Sequence, residues 1–308
     1  MLGYVLVRLL QGLVVIVLVT TLVFLILHLA PGDPVTLLVG RAPMTPEQLE
    51  QIRRFWGLDR PLPAQYLTWV SNVVRGDFGE SIGSGGRSVG VLLREAAPNT
   101  LQLNVLALVV SVVAAVPAGI LAAARRHSVF DGALMGVSTL GLAVPSFWLG
   151  LMLIVLFALG LGWLPAFGQT DWKSYLLPVF VLAAEQMALL ARLTRSVTLE
   201  MLEQDYVATA RAKGLAEPTV LLRHVARTAL LPLITVVGYR VGFLLSGTVV
   251  IETVFAWPGL GRLLVQAIGQ RDYAVVQAIA TLGAGVVVLA SLLTDLAYAY
   301  VDPRIRYH

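Results

Sequence analysis

Four ionisable side chains interrupt sequence that is otherwise strongly apolar. Glu185, Arg240 and Asp295 lie within long hydrophobic runs, and Glu252 lies near the end of one. Charge inside hydrocarbon is costly, so such groups face a helix-bundle interior or a water-filled passage. Two roles are open to them. They line a solute pathway or meet a solute's charged ends, or they pair and lock helices together at a subunit contact. Arg240 is placed to pair with Glu185 or Asp295. Signatures of catalysis are missing. No G-x-x-x-x-G-K-[ST] loop occurs, and no Gly-Lys pair exists anywhere in the chain. Without backbone amides and a lysine around its phosphates, ATP is not held in the usual way. The two G-x-S-x-G matches, Gly79 to Gly83 and Gly86 to Gly90, lie in the Gly/Ser-rich stretch ahead of the second apolar run and are not read as nucleophile elbows. Cysteine is absent, which removes disulfides, thiolate metal sites and thiol nucleophiles and leaves the redox compartment open. His28, His127, His224 and His308 are scattered without HExxH spacing. These absences predict no enzymatic activity, metal or cofactor in the chain itself.

The elements that hold these charges must be membrane spans. The chain is 57% hydrophobic and only 13% charged, with mean hydropathy +0.82. Soluble domains carry about 25% charged residues. That deficit is too large for one buried core, so apolar surface must face lipid. A span needs about 20 apolar residues. Six runs qualify, near 9–30, 101–124, 133–160, 174–191, 232–255 and 274–300. The third is long enough to tilt or to end early near Gly160, and Pro117 and Pro145 are sites for kinks. The first run is too long for a signal peptide, and Pro31 follows Ala30 where cleavage would fall, so it reads as a retained helix. Gly238 with Gly242, and Gly283-Ala284-Gly285, permit close helix packing.

Orientation follows from the basic residues. The net charge of +4 concentrates on one side. With the N-terminus in the cytoplasm, the inside segments hold eleven Lys and Arg residues, and the short outside loops hold three: Lys173, Arg262 and Arg271. Both termini are therefore expected in the cytoplasm. The charge belongs to loops, and nucleic-acid binding is not expected.

Two extramembrane segments stand out. In residues 31–100, Thr45-Pro46-Glu47-Gln48 reads as a capped helix start with a capping-box Gln, and the helix should stop at Gly57. Tyr66, Trp69 and Val73 share one helical face. That face either packs on the membrane surface or its own span, or forms a lid or docking surface for an outside partner. Residues 81–86 read as a flexible Gly/Ser turn. Trp69, Ser81, Gly83 and Ser84 are the candidate contacts to such a partner. Residues 192–231 read as helix, turn, helix: one helix near 196–213 ending at Gly214, then a second from Pro218 to Leu231, with Pro232 opening the fifth span. A hairpin of this length exceeds what a connector needs. Its mixed charges disfavour a helix lying on lipid headgroups, because Glu200, Glu203, Asp205 and Glu217 offset its basic residues.

At this point the sequence resembles a known family. DYVATARAKGL (205–215), followed by HVARTALLP (224–232), resembles the EAA loop of ATP-binding-cassette importer permeases. APGDP (30–34), GLDRPLPAQY (57–66), RGDFGESI (75–82), ETVFAWPGLGRLL (252–264) and DPRIRY (302–307) resemble the dipeptide/oligopeptide permeases. Thr209 stands where the loop's name implies a second Ala, and it is still small. The resemblance covers essentially the whole chain. It implies an all-α polytopic fold of six transmembrane helices, the type I importer permease fold, with a cytoplasmic coupling-helix hairpin. In that reading residues 1–30 form the N-terminus and first span, 31–100 an extracytoplasmic segment with helices, and 101–308 the permease core, with its coupling loop at 192–231.

The resemblance also implies partners and residue roles. A second homologous permease subunit, two cytoplasmic ATPase subunits or domains holding ATP and Mg, and an extracytoplasmic substrate-binding protein would complete the machine in the plasma (inner) membrane. Asp205, Tyr206, Ala208, Ala210, Arg211, Ala212, Lys213, Gly214 and Leu215 would form the ATPase-docking element. Its small residues would allow close approach, and Arg211 and Lys213 would orient it. Relatives of this type handle dipeptides, longer peptides, glutathione or nickel complexes. A self-sufficient ion-coupled carrier or channel is the competing reading. Such a carrier would be expected to show inverted repeats and unwound mid-membrane segments, for which the six runs give no symmetry.

Overall fold

The computed structural model describes residues 2–29, 45–241, 244 and 248–301; for 2–5, 231, 239 and 294–301 it describes the backbone alone. The APGDP and DPRIRY stretches lie outside the described residues. The described chain is mainly helical and carries one short antiparallel ladder, β1 (Glu80–Ser81) with β2 (Arg87–Ser88). Among the described residues four helices are long and apolar enough to cross a membrane, and two bent helix pairs bring the number to as many as six. The chain forms two compact units, Met1–Thr100 with Leu245–Val249 and Pro258–His308, and Leu101–Leu244 with Val250–Trp257.

The first unit begins with α1 (Leu2–Leu29), whose Leu6, Leu10, Leu13 and Leu18 are exposed, as a lipid-facing surface requires. Next comes α2 (Pro46–Phe55). Thr45 Oγ1 accepts from the Gln48 amide, and Gln48 Oε1 accepts from the Thr45 amide, so the expected capping box is present. Hydrogen bonding to its own backbone amide and to Thr45 holds the Glu47 carboxyl below its ordinary range. Gly57 follows with φ +67°, which ends the helix. α3 (Leu62–Val74) lays Tyr66 on α1: its hydroxyl meets Thr21 Oγ1 at 2.7 Å, and its ring meets Phe24 edge-on. The aromatic face thus packs on the chain's own first span. The hairpin leads into α4 (Val89–Ala124), which is unbroken at Pro117. Val89, Leu92, Leu93 and Ala96 pack with Leu260 and Ala267 of α12 (Leu260–Gln270) and Val275, Val276 and Ala278 of α13 (Tyr273–Val301). α13 also packs against α1, where a Cβ at Gly12 would collide with Val288.

The second unit continues α4. α5 (Val129–Ala143) and α6 (Ser146–Leu153, extended by a wide π turn at Ile154–Gly160) meet at a bend of 102°. The third predicted span is therefore two helices rather than one tilted rod. Pro145 is the reason: it pushes Val144 to an extended ψ of 122°, and no helix passes through that residue. α7 (Leu176–Leu202) packs so closely on α4 that a Cβ at Gly119 would lie 2.7 Å from Thr194 Cβ and 2.8 Å from the Ala191 carbonyl oxygen. Among lipid tails apolar burial does not drive association, so this close approach of small residues is the main adhesive. α8 (Asp205–Ala212), α9 (Glu217–Thr219) and a π turn at Val220–Val225 form the expected hairpin. α10 (Ala226–Val241) follows, and α11 (Val249–Val254) comes after a break. Two expectations are corrected here. The helix near 196–213 is interrupted between Leu202 and Asp205, and the fifth span is not one helix from 232 to 255. Pro232 lies inside α10, at a bend of 45°, instead of opening the span.

Candidate functional site

The hairpin at 205–225 is built as a small domain. Val207 and Ala210 of α8 are buried against Val220 and Val225, with Met201, Leu202 and Leu221 around them. Those helix-spaced inward residues leave a continuous outer surface. Asp205, Tyr206, Ala208, Arg211, Ala212, Lys213, Gly214 and Leu215 are all exposed. Ala210 is the exception among the candidate docking residues. It is 6% exposed and closes the hairpin's own core, so it offers no surface to a partner. Gly214 takes φ +79°, as its place after the helix predicts, and a Cβ there would meet nothing within 4 Å. Arg211 is already engaged: Nε and Nη2 donate to Glu217 at 3.1 and 2.5 Å. That hydrogen bonding raises the guanidinium's pKa above its ordinary value. The pair staples the turn across Gly214, beside the exposed Lys213.

Near the hairpin's base sits an ion pair that spacing gave no hint of. Asp131, 4% exposed in the first turn of α5, takes two hydrogen bonds from Arg195 on α7, through Nε and, at 2.7 Å, Nη2. The backbone amide of His127, which has φ +64°, donates to the same carboxylate. Ser128 caps the helix start by accepting from the Asp131 amide. Beside it Arg126 approaches Glu203 at 3.8 Å in an exposed pair.

The in-span charges separate. Glu185 is exposed on α7, Arg240 is partly buried on α10, and neither forms an ion pair among the described residues, so of the two pairings open to Arg240 the one with Glu185 is not formed within the described chain. Glu252 is fully buried and engaged within the chain. Asp295 lies on α13, and its side chain is outside the described residues.

In the segment before α4, Trp69 is partly buried beside Tyr66 and lines a cavity of about 220 Å³ with His28, Phe78 and Tyr273. Ser81 is fully buried, Gly83 is exposed and Ser84 is partly exposed. The turn at 81–86 is pinned rather than flexible: the Gly86 amide donates to the Ser81 carbonyl oxygen at 2.9 Å, and Asp272 holds Ser81 from across the unit. Among the described residues no cluster of His, Cys, Asp or Glu is arranged to hold a metal ion.

Comparison with known proteins adds a family to this geometry. Residues 115–307 match the family described as binding-protein-dependent transport system inner membrane component, and residues 1–89 match its N-terminal family. The chain belongs to that family. It is 41% identical over 317 residues to the oligopeptide transport system permease protein AppB of Bacillus subtilis, and 42% identical over 308 residues to the glutathione transport system permease protein GsiC of Escherichia coli K12. In both cases the match spans 100% of each chain. Among solved structures, a chain of the MetNI methionine ABC transporter in inward-facing conformations superposes with TM-score 0.56 at 18% identity, over 68% of this chain and 96% of that one. At that identity the likeness concerns the fold, which is that of an ABC importer's membrane subunit. The chain is thus a multi-pass inner-membrane permease subunit of a binding-protein-dependent importer. The self-sufficient carrier finds no support in these relatives.

Proposed function

We propose that this permease provides half of a pathway for di- or oligopeptides, or for related small solutes such as glutathione. An external binding protein would deliver the solute, and partner ATPases would drive its import. The substrate class rests on the likeness to AppB, an oligopeptide permease, and GsiC, a glutathione permease. The observation that carries the mechanism is the hairpin, whose apolar face is spent on its own core and whose outer face of small residues is exposed. Such a unit moves as a rigid body and can pass ATPase closure to the spans beside it. A second permease subunit, two ATPase subunits or domains and one binding protein make up the proposed complex. ATP and Mg belong to the ATPases, since this chain has no phosphate loop. Residues 1–30, 31–100 and 101–308 are read as first span, extracytoplasmic segment and permease core. Arg240, Glu185, Glu252 and Asp295 remain candidates for the pathway or for subunit contacts, and the exposed tip at Gly83 and Ser84 for binding-protein contact.

The reconstituted complex should take up a labelled peptide into vesicles only with ATP and binding protein present. Uptake driven by an ion gradient alone would instead support a carrier. Topology gives a second expected result. Single cysteines at Ser84 and at Thr219, in this cysteine-free background, should differ: an impermeant thiol reagent outside intact cells labels position 84 and spares 219. Labelling at 219 would reverse the orientation and place the hairpin where no ATPase could reach it.

A further inference from the structure

The hairpin at 80–88 is short, and its tip is rich in glycine, so local forces alone would leave it poorly fixed. What fixes it is one carboxylate far away in sequence. Asp272 is 1% exposed, between α12 and α13. Its Oδ2 accepts from Ser81 Oγ at 2.5 Å and from the Gly83 amide at 3.0 Å. Ser81 Oγ in turn accepts from the Ser84 amide at 3.0 Å. The other oxygen, Oδ1, accepts from the Val275 amide at 3.4 Å, in the first turn of α13. Arg271, at φ +53°, makes the left-handed turn that swings Asp272 under the tip. A Cβ at Gly83 would meet the end of the Gln270 side chain and lie 3.3 Å from Asp272 Oδ2, so the exposed tip passes close over both side chains. One buried carboxylate therefore holds the Gly83 amide directly and the Ser84 amide through Ser81 Oγ, and ties both to the first turn of α13.

We infer that Asp272 is the positioning residue that presents the 83–86 tip to the external binding protein and links that contact to α13. This rests on the proposed reading of the tip as the binding protein's contact. Asp272 itself touches no partner; it acts through Ser81 and the two amides. Charge-assisted hydrogen bonds are about twice as strong as neutral ones, and their loss leaves buried donors without acceptors. A mobile tip would have to be ordered at each encounter, which weakens docking without altering the turnover of a docked complex.

The test uses the whole complex in lipid discs, titrated with its substrate-loaded binding protein, and reads ATPase rate. Asp272→Asn and Ser81→Ala should each raise the half-saturating binding-protein concentration by about tenfold, equivalent to ~1.4 kcal/mol. The saturated rate should be retained. The effects of the two variants should be less than additive in the double variant, because both act on the Ser81–Asp272 contact. Ser84→Trp at the tip is the control for the underlying reading, and it should raise half-saturation strongly. If Ser84→Trp does so while both latch variants stay within about twofold of the parent, tip docking stands and the latch is overturned. If Ser84→Trp has no effect either, tip docking falls with it. Loss of saturated rate and of complex yield, with half-saturation unchanged, would make Asp272 a purely structural residue and overturn the inference.

Discussion

Asp131→Ala should destabilise the protein by about 2–3 kcal/mol, because it removes a buried carboxylate and leaves a partly exposed guanidinium without its counter-charge. Asp131 is nearly sealed from solvent, and the Arg195 side chain is 24% exposed. The carboxylate takes hydrogen bonds from Arg195 through two nitrogens and from the His127 amide, and it sits in a first turn that Ser128 caps. Alanine removes the acceptor and leaves the donors in place. The neighbouring Arg126–Glu203 pair makes the contrast. At 3.8 Å, with both side chains more than half exposed, it should contribute at most about 1 kcal/mol, and Glu203→Ala should barely register. Thermal unfolding of the purified protein in detergent, followed by size-exclusion recovery, reads both. Arg195→Lys should fall between, since a lysine keeps the charge and loses the planar two-bond grip. The exchange Asp131→Arg with Arg195→Asp should recover part of the loss. A shift for Asp131→Ala no larger than that of Glu203→Ala would mean the pair contributes like a surface contact despite its burial. The location gives the pair a second interest. It ties the start of α5 to α7 about two turns before α7 ends and the hairpin begins.

Much of the local structure was legible because its causes are local. The Thr45 capping box, the helix stop at Gly57 and the left-handed Gly214 each depend on a few adjacent residues, and each is present in the fold. Legibility ended where partners are distant. Ser81 and Asp272 are 191 residues apart and Asp131 and Arg195 are 64 apart, and no periodicity encodes either pairing. Hydropathy found the apolar runs and missed their geometry. A run of apolar residues reads the same whether Pro145 bends it by 102° or, as at Pro117, the helix passes through. Ala210 is a different kind of miss. Ala208, Ala210 and Ala212 look like one set in sequence, yet on a helix Ala208 and Ala212 share a face and Ala210 turns away, three positions after Val207. Helical arithmetic alone would have placed Ala210 in the hairpin core, where it lies. The in-span charges left their partners open for a related reason: charge in a span demands some polar surrounding, but it does not name which neighbour supplies it.

That geometry decides how the docking of the hairpin should be tested. Gly214→Glu should reduce ATPase copurification and peptide uptake by about tenfold or more, a factor of ten being ~1.4 kcal/mol of lost docking energy. Two contributions can be separated. The φ of +79° costs a residue with a Cβ roughly 1 kcal/mol, whatever the space around it. The space is in fact open, with nothing inside the chain within 4 Å of where a Cβ would stand, so any steric penalty must come from a partner. Asparagine tolerates the left-handed conformation better than other residues. Gly214→Asn therefore adds volume with little backbone strain, and Gly214→Ala adds strain with little volume. If docking governs the effect, Asn should impair recruitment at least as much as Ala; if strain governs it, Ala should be the worse of the two. Ala208→Glu and Ala212→Glu, on the exposed face, should resemble Gly214→Glu. Ala210→Glu buries a charge among Val207, Val220 and Val225 and should unfold the hairpin, so it reports on stability and not on docking. Glu217→Ala releases Arg211 and loosens the turn around Gly214, and a moderate loss of recruitment is expected where the residue's distance from the helix would suggest none. All these variants leave the spans untouched and should still insert and pair with the second permease subunit. Copurification of the ATPase in detergent, measured together with uptake into vesicles, distinguishes these outcomes. Full recruitment and normal uptake by Gly214→Glu would remove the hairpin from the mechanism, because no surface that docks closely against a partner accommodates a buried glutamate at its turn without loss.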